Sequence, residues 1–370
     1  MTITHLDGSE SFSKAFLSTA CSDPMNRILV ITPCSPSGLP SQGLFIAQGL
    51  RKAGVTLELL TKANSSLGRL LDIAFRGSLL VHQNDVVLVN VYAGRAFVYE
   101  SLAILCSRLW RKRVIVLIHS GCMADFTQRW PRWVNFVLSH SDLNLVPHGF
   151  LQQELSSLGL RIDGVIPNCI DLSRYQFRER NVLAPKLLYL RGTHPFYNPA
   201  MALRAFSLIQ RVHPDALLTM AGKDGEDASA CRRLVQKLNL RNVHFIGQVP
   251  NEKISILADN HDIHIHTNRV ENMPVSIIEM WACGLPIVGT SVGGMPYLVR
   301  NGEDGILVKS EDYNAMAEAC LELLSNSALA QALSQNGRRR AEELTWEKIK
   351  PLWKQVLLLE DNLAEGSLAK

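Results

Sequence analysis

No apolar run in the 370 residues approaches the roughly 20 that a bilayer-spanning helix needs. The first 25 residues lack a basic start followed by an apolar stretch, so no secretory signal is expected. The eight cysteines include no CxxC pair, which fits reduced thiols in a cytosolic protein better than a disulfide framework. There is no internal repeat, no low-complexity segment and no basic stripe of the kind nucleic-acid binding requires. What remains is globular. A chain that is 47% hydrophobic and 19% charged suits a protein with substantial buried sheet, and its length exceeds one hydrophobic core, so two domains are the default. The net charge of +4 is uneven: residues 1–165 hold 15 Lys/Arg against 11 Asp/Glu, and the remainder holds 23 of each. A basic first half could meet an anionic membrane surface or acceptor, but at this magnitude ordinary surface charge accounts for it.

After a polar leader, expected to be flexible over 1–26, apolar β-rich runs alternate with helical patterns. Strands are predicted at Arg27–Thr32, Val55–Thr61, Val86–Val91, Arg113–His119, Asp142–Val146 and Gly164–Ile166, with helices such as Ser41–Ala53, Arg95–Trp110 and Arg132–Ser139 between them. A polar stretch, 168–185, carrying Asp171, Arg174, Arg178, Glu179 and Arg180, reads as an interdomain linker. The second half then supplies strands at Lys186–Arg191, Ala216–Ala221, Val243–Ile246, Asp262–Thr267, Pro286–Thr290 and Gly305–Val308. Unbroken Val/Ile/Leu runs indicate strands covered on both faces, hence parallel sheets. The expected architecture is α/β, two doubly wound Rossmann-like domains at 27–167 and 186–344 facing across a cleft. A last helix and tail, 345–370, are expected to pack back toward the first domain through Trp346, Ile349, Leu352, Trp353 and Val356.

The most informative segment is ENMPVSIIEMWACGLPIV, from Glu271. Val275 to Cys283 is almost wholly apolar and reads as a buried helix. A carboxylate inside it, Glu279, is costly without a polar partner. Glu271 precedes the helix, where unpaired backbone N–H groups favour an anion. Spacing alone leaves two readings open: a site for sugar hydroxyls, phosphate and ribose, or two carboxylates satisfied by internal hydrogen bonds.

The segment E-x7-E followed by ACGLPIVGTSVGGMPYLVRNGEDGILV resembles the donor site of the retaining glycosyltransferases of family 4, whose fold is GT-B. VIPNCIDLSRY is similar to that family's interdomain segment, HPDALLTMAG and NVHFIGQVP to its second-domain strands, and RILVITPCSPSGLPSQG to its first strand and loop. The resemblance covers most of residues 27–360. It implies that Glu279 accepts from ribose hydroxyls and that Glu271 holds the transferred sugar, with backbone donors at Asn272, Met273 and Val275. It places Gly293 and Gly294 where backbone approaches ligand closely, Val249 in the base-contacting segment, Ser37 and Gly38 in the first-domain loop near phosphate, and His119 near the donor sugar.

One departure stands out. The family carries Gly-Arg and then Lys at the start of the second domain, cations that neutralise the diphosphate. Here LYLRGTHPFYNPAM puts Gly192 and Tyr197 at those places, so Arg191 is the expected substitute and His194 a weaker one. The run HDIHIH sets His264 and His266 on one side of a strand, but no third ligand completes a metal site and none is expected. Arg108–Arg113, Arg-Leu-Trp-Arg-Lys-Arg, reads either as a membrane contact or as cations at a helix C-terminus.

The resemblance therefore implies a metal-independent, retaining hexosyltransferase without cofactor. It would use a UDP- or GDP-linked sugar and a glycan or lipid-linked acceptor of surface-polysaccharide assembly, in the cytoplasm or peripherally at the inner face of the membrane. The rivals are a non-catalytic GT-B protein that binds nucleotide or glycan or scaffolds a partner, and a nucleotide-sugar epimerase or hydrolase. The base, sugar, acceptor and oligomeric state are not legible in the sequence.

Overall fold

The computed structural model describes residues 27–32, 41–60 and 77–357; the leader, Ser37 and Gly38 lie outside them. Among the described residues, twelve strands form two sheets. The first contains β1 (Arg27–Ile31), β2 (Thr56–Leu60), β3 (Val86–Val91), β4 (Arg113–Ile118), β5 (Leu143–Val146) and β6 (Gly164–Val165) in the order β2-β1-β3-β4-β5-β6. The second contains β7 (Lys186–Tyr189), β8 (Leu217–Ala221), β9 (Val243–Gly247), β10 (Ile263–His266), β11 (Ile287–Thr290) and β12 (Ile306–Val308) in the order β12-β11-β10-β7-β8-β9.

All pairings are parallel. Helices cover both faces, so central strands such as β3 are buried at every residue. That is why their sequences are continuous apolar runs rather than alternating ones. In each sheet the strand order reverses once, between β1 and β3 and between β7 and β10. Ligands of such sheets bind outside the carboxyl ends of the strands at that reversal.

The linker is less of a spacer than its polar composition implied. Arg180, read from sequence as part of a polar stretch, is fully buried. Its guanidinium donates to the carbonyls of Arg178, Cys283, Ala258 (2.8 Å) and His261 (3.1 Å), while Arg178 pairs with Asp259 and Asp262. A planar five-donor group can satisfy several chain ends at once, and here it ties the linker to the second half.

The chain passes between the halves twice, side by side. Ile170 N donates to Leu344 O at 3.0 Å and Trp346 N to Ile170 O at 2.9 Å. The Trp346–Leu357 helix then packs on the first sheet: Trp346, Ile349, Trp353, Val356 and Leu357 share one core with Ile28, Val30, Ile115 and Leu117. Gly49 makes room for it, since a Cβ there would lie 2.5 Å from the Trp346 ring.

The basic run 108–113 is partly engaged on the protein itself. Arg108 pairs with Asp142 and Lys112 donates to His82 O. Among the described residues, no helix is long and apolar enough to cross a membrane.

Candidate active site

Glu271 lies on the loop after β10, and Glu279 on the helix Val275–Ala282, where seven of eight residues are buried. The Glu279 side chain is fixed from the linker: Tyr175 Oη donates to Oε1 at 2.7 Å. Burial pushes the Glu279 carboxyl up, opposed by the Tyr175 hydrogen bond and the positive charges of Arg191 and Arg174. Glu271 shows the opposite balance. Burial alone would raise it, but Arg191, His266 and the backbone N–H of Asn272 outweigh that and hold it at about 2. Its Oε2 accepts from Arg191 (3.0 Å), His266 Nε2 (3.0 Å) and Asn268, and its Oε1 from Asn272 N at 3.1 Å. It is a carboxylate locked in its charged form and in one position.

Arg191, immediately beyond β7, acts on both carboxylates. Its guanidinium also sits 5.5 Å from the centroid of the Tyr197 ring, a cation–π contact that orients the planar group. Tyr197 thus supports the arginine rather than supplying a charge.

A cavity of about 660 Å³ opens between the halves. Arg191, Val249, Val275 and Glu279 line it, with Tyr175 and Lys223. Glu271, Asn272, Met273, Gly293, Gly294 and His119 do not; they gather where the two halves touch. One of the backbone donors expected to face a ligand is already engaged within the loop. The Asn272 N–H is taken by Glu271's own carboxylate. Met273 is buried, and its carbonyl accepts from Asn168 Nδ2 at 2.8 Å. The Gly293–Gly294 pair approaches protein closely: a Cβ on Gly293, whose φ is +51°, would lie 2.1 Å from Glu271 O, and one on Gly294 2.1 Å from Asn272 O. Gly294 N also donates to Glu271 O at 3.1 Å. The pair therefore clamps the backbone that carries Glu271.

From the first half, the loop after β4 reaches the same point. Asn272 Nδ2 donates to His119 O at 2.8 Å, and Gly121 packs against the Glu271–Asn272 backbone. The His119 ring stacks on Tyr92 and its Nε2 pairs with Asn90 Oδ1 at 2.8 Å; burial lowers it to about 4, so it is neutral at pH 7. His148, which escaped sequence reasoning, caps the helix Gly149–Ser157 through Nδ1 and lies against Gly294. It too is held near 4, chiefly by burial.

The run HDIHIH divides into separate roles. His261 bonds Leu257 O and Thr219 Oγ1, His264 bonds Leu188 O, and His266 orients Glu271. Among the described residues, no group of three His, Cys, Asp or Glu could hold a metal ion. His266, Asn268 and Tyr175 were not foreseen as partners of the two glutamates. The signal for His266 was available: an inward-facing histidine at a strand end, five residues before the acid.

The fold has counterparts among solved structures. Residues 177–340 match the family model for glycosyl transferases group 1. HepE from Anabaena, solved with UDP and glucose, superposes with a TM-score of 0.73 at 18% identity over 90% of this chain and 99% of that one. The sucrose-phosphate synthase of Thermosynechococcus elongatus gives 0.71 at 19%, over 90% and 99%. Two such parallel-sheet domains facing across a cleft are the GT-B fold.

Among curated relatives, glycogen synthase of Mycobacterium tuberculosis is 25% identical over 65% of this chain and 60% of its own length. D-inositol 3-phosphate glycosyltransferase of Rhodococcus jostii is 28% identical over 50% and 45%. The chain thus covers less than two thirds of these relatives. Within the GT-B frame, the group 1 segment spans the linker end, the second sheet and both glutamates.

Proposed function

We propose that the protein is a glycosyltransferase that moves a hexose-type sugar from a nucleoside diphosphate sugar, UDP- or GDP-linked, to an acceptor hydroxyl, with retention at the anomeric carbon and without a metal ion. The observation that carries this reading is the pair Glu271 and Glu279, fixed by different partners, Arg191 and Tyr175, beside an interdomain cavity. UDP and glucose bound to HepE support a nucleotide-sugar donor. In this reading Glu279 accepts from the ribose, and Glu271, kept ionised, accepts from sugar hydroxyls. A carboxylate already oriented by Arg191, His266 and Asn268 needs little reorganisation to do so. In this reading domain closure, with contacts such as those of Asn272 and Gly121 between the halves, excludes water and aligns an acceptor.

His119 is neutral and tied to Asn90, so it orients rather than exchanges protons. The glycosidic C–O bond of the donor breaks with its electron pair going to the diphosphate. The acceptor oxygen bonds to the anomeric carbon, and its proton passes to the leaving phosphate oxygen. The acceptor proposed is a lipid-linked or polysaccharide intermediate, with the protein cytoplasmic or peripheral at the inner membrane face.

A second reading, a GT-B protein that binds nucleotide or glycan without transfer, is favoured by one observation: Arg191 is already paired with Glu271. A thermal-shift panel of nucleotide sugars followed by transfer assays with wild type and Glu271→Ala separates the two, because a preferred donor stabilises by mass action. Tight UDP or GDP binding with no transfer to any extracted lipid acceptor would sink the transferase reading.

A further inference from the structure

Arg191, on the cavity wall, already has an anionic partner. Its guanidinium is bound to Glu271 at 3.0 Å, so that pair is neutral, and Glu279 faces the same space. A diphosphate entering beside these carboxylates is repelled unless another cation meets it.

Lys223 is placed to do so. It follows β8 in the loop Gly222–Gly225, which runs in backbone contact with Arg191–His194. A Cβ on Gly222 would lie 2.3 Å from the Arg191 carbonyl, and one on Gly192 2.7 Å from Lys223 O. Thr193 N donates to Lys223 O at 3.1 Å, Gly225 N to Thr193 Oγ1 at 2.8 Å, and Asp227 N to Thr193 O at 2.9 Å. These contacts fix the Lys223 backbone beside Arg191, while its side chain is exposed and lines the cavity.

The acid next to it, Asp224, is engaged by Arg232 at 2.8 Å. Among the described residues, no hydrogen bond or ion pair holds the Lys223 ammonium. Arg174, the other cation on the wall, stands beside Tyr175 and acts on Glu279, at the end assigned to ribose.

Resting on the nucleotide-sugar reading above, we infer that Lys223 is the cation that binds the donor diphosphate, taking from another loop the part that Tyr197 cannot fill. A lysine on a flexible stem can reach phosphate as a point charge without disturbing the Arg191–Glu271 pair.

The test uses the full chain. Wild type, Lys223→Met, Lys223→Arg and a control, Lys237→Met, exposed at the end of the helix Ala228–Lys237, are titrated calorimetrically with UDP, GDP, uridine and guanosine. The expected result is that Lys223→Met weakens the preferred diphosphate at least about tenfold and flattens its salt dependence. Nucleoside binding stays within about twofold by the same reasoning, since the nucleoside carries no charge for the ammonium to meet. Lys223→Arg restores most of the loss and Lys237→Met behaves as wild type. Unchanged diphosphate binding by Lys223→Met overturns the inference, as does an equal loss for diphosphate and nucleoside. If wild type binds none of the four ligands, the nucleotide-sugar reading itself falls, a result distinct from either.

Discussion

Removing either member of the Arg191–Glu271 pair leaves the other in an unequal position, and the inequality is measurable. The guanidinium is 23% exposed and the carboxylate 13%, so neither charge is fully hydrated. In Arg191→Met, Glu271 keeps His266, Asn268 and the Asn272 N–H. In Glu271→Gln, Arg191 loses its counter-charge and keeps a neutral amide oxygen and the Tyr197 ring, with Nε already lacking a partner.

Breaking a buried pair from one side costs about 3–5 kcal/mol. Partial exposure and the remaining donors put Arg191→Met near 2 and Glu271→Gln near 3, as order-of-magnitude values. The double variant, with no buried charge left at this pair, is expected to lose less than the sum by about 1 kcal/mol or more.

The pH arm has a definite sign. Glu271 is depressed from its ordinary 4.5 to about 2, worth about 3 kcal/mol at 1.36 per unit. A carboxyl depressed in the folded state stabilises above its unfolded pKa, and that contribution disappears as pH falls from about 4.5 to about 2. Arg191→Met shifts the loss to higher pH. Urea unfolding followed by circular dichroism from pH 7 to 3 measures both effects. Additive single variants with wild-type pH dependence would refute the account of Glu271 as a carboxylate held ionised by Arg191.

Tyr175→Phe removes the 2.7 Å donor to Glu279; about 1–2 kcal/mol of stability and several-fold in UDP affinity should be lost, read by thermal shift and titration. Gly294→Ala places a Cβ 2.1 Å from Asn272 O, so the loop carrying Glu271 must move, at about 1–3 kcal/mol; an unchanged Tm would contradict the clamp. Glu100, buried and accepting from Tyr92 N at 2.8 Å, is raised to about 8, chiefly by burial. The folded state then holds a proton that the unfolded state releases above about 4.5, so stability falls as pH rises toward 8. Glu100→Gln, which keeps an acceptor, should be more stable than wild type at pH 8 and should have lost this dependence in pH-resolved melting.

Much of the architecture was legible locally. Strands covered on both faces must be apolar throughout, so each of the twelve predicted strands has a counterpart within a residue or two of its limits. The Val275–Ala282 helix announced its burial, and with it the oddity of Glu279. The partners were not legible. Arg191 meets Glu271 across 80 residues, and Tyr175 meets Glu279 across 104. A lone Arg, His or Tyr in sequence carries no record of what it will face.

Arg180 misled in the same way. Its charge reads as solvent-facing, and the convergence of four carbonyls, with Asp262 3.9 Å from Nε, makes burial tolerable. The glycine pair was visible as a place of close approach, but the approaching group, the Glu271 backbone, was not. By itself the sequence determined the two parallel-sheet domains and singled out the two carboxylates, because periodicity and burial are properties of a segment. Tertiary structure alone decided which carboxylate is locked ionised, which histidine holds it and which lysine stands beside the arginine, because those depend on distances between segments that folding brings together.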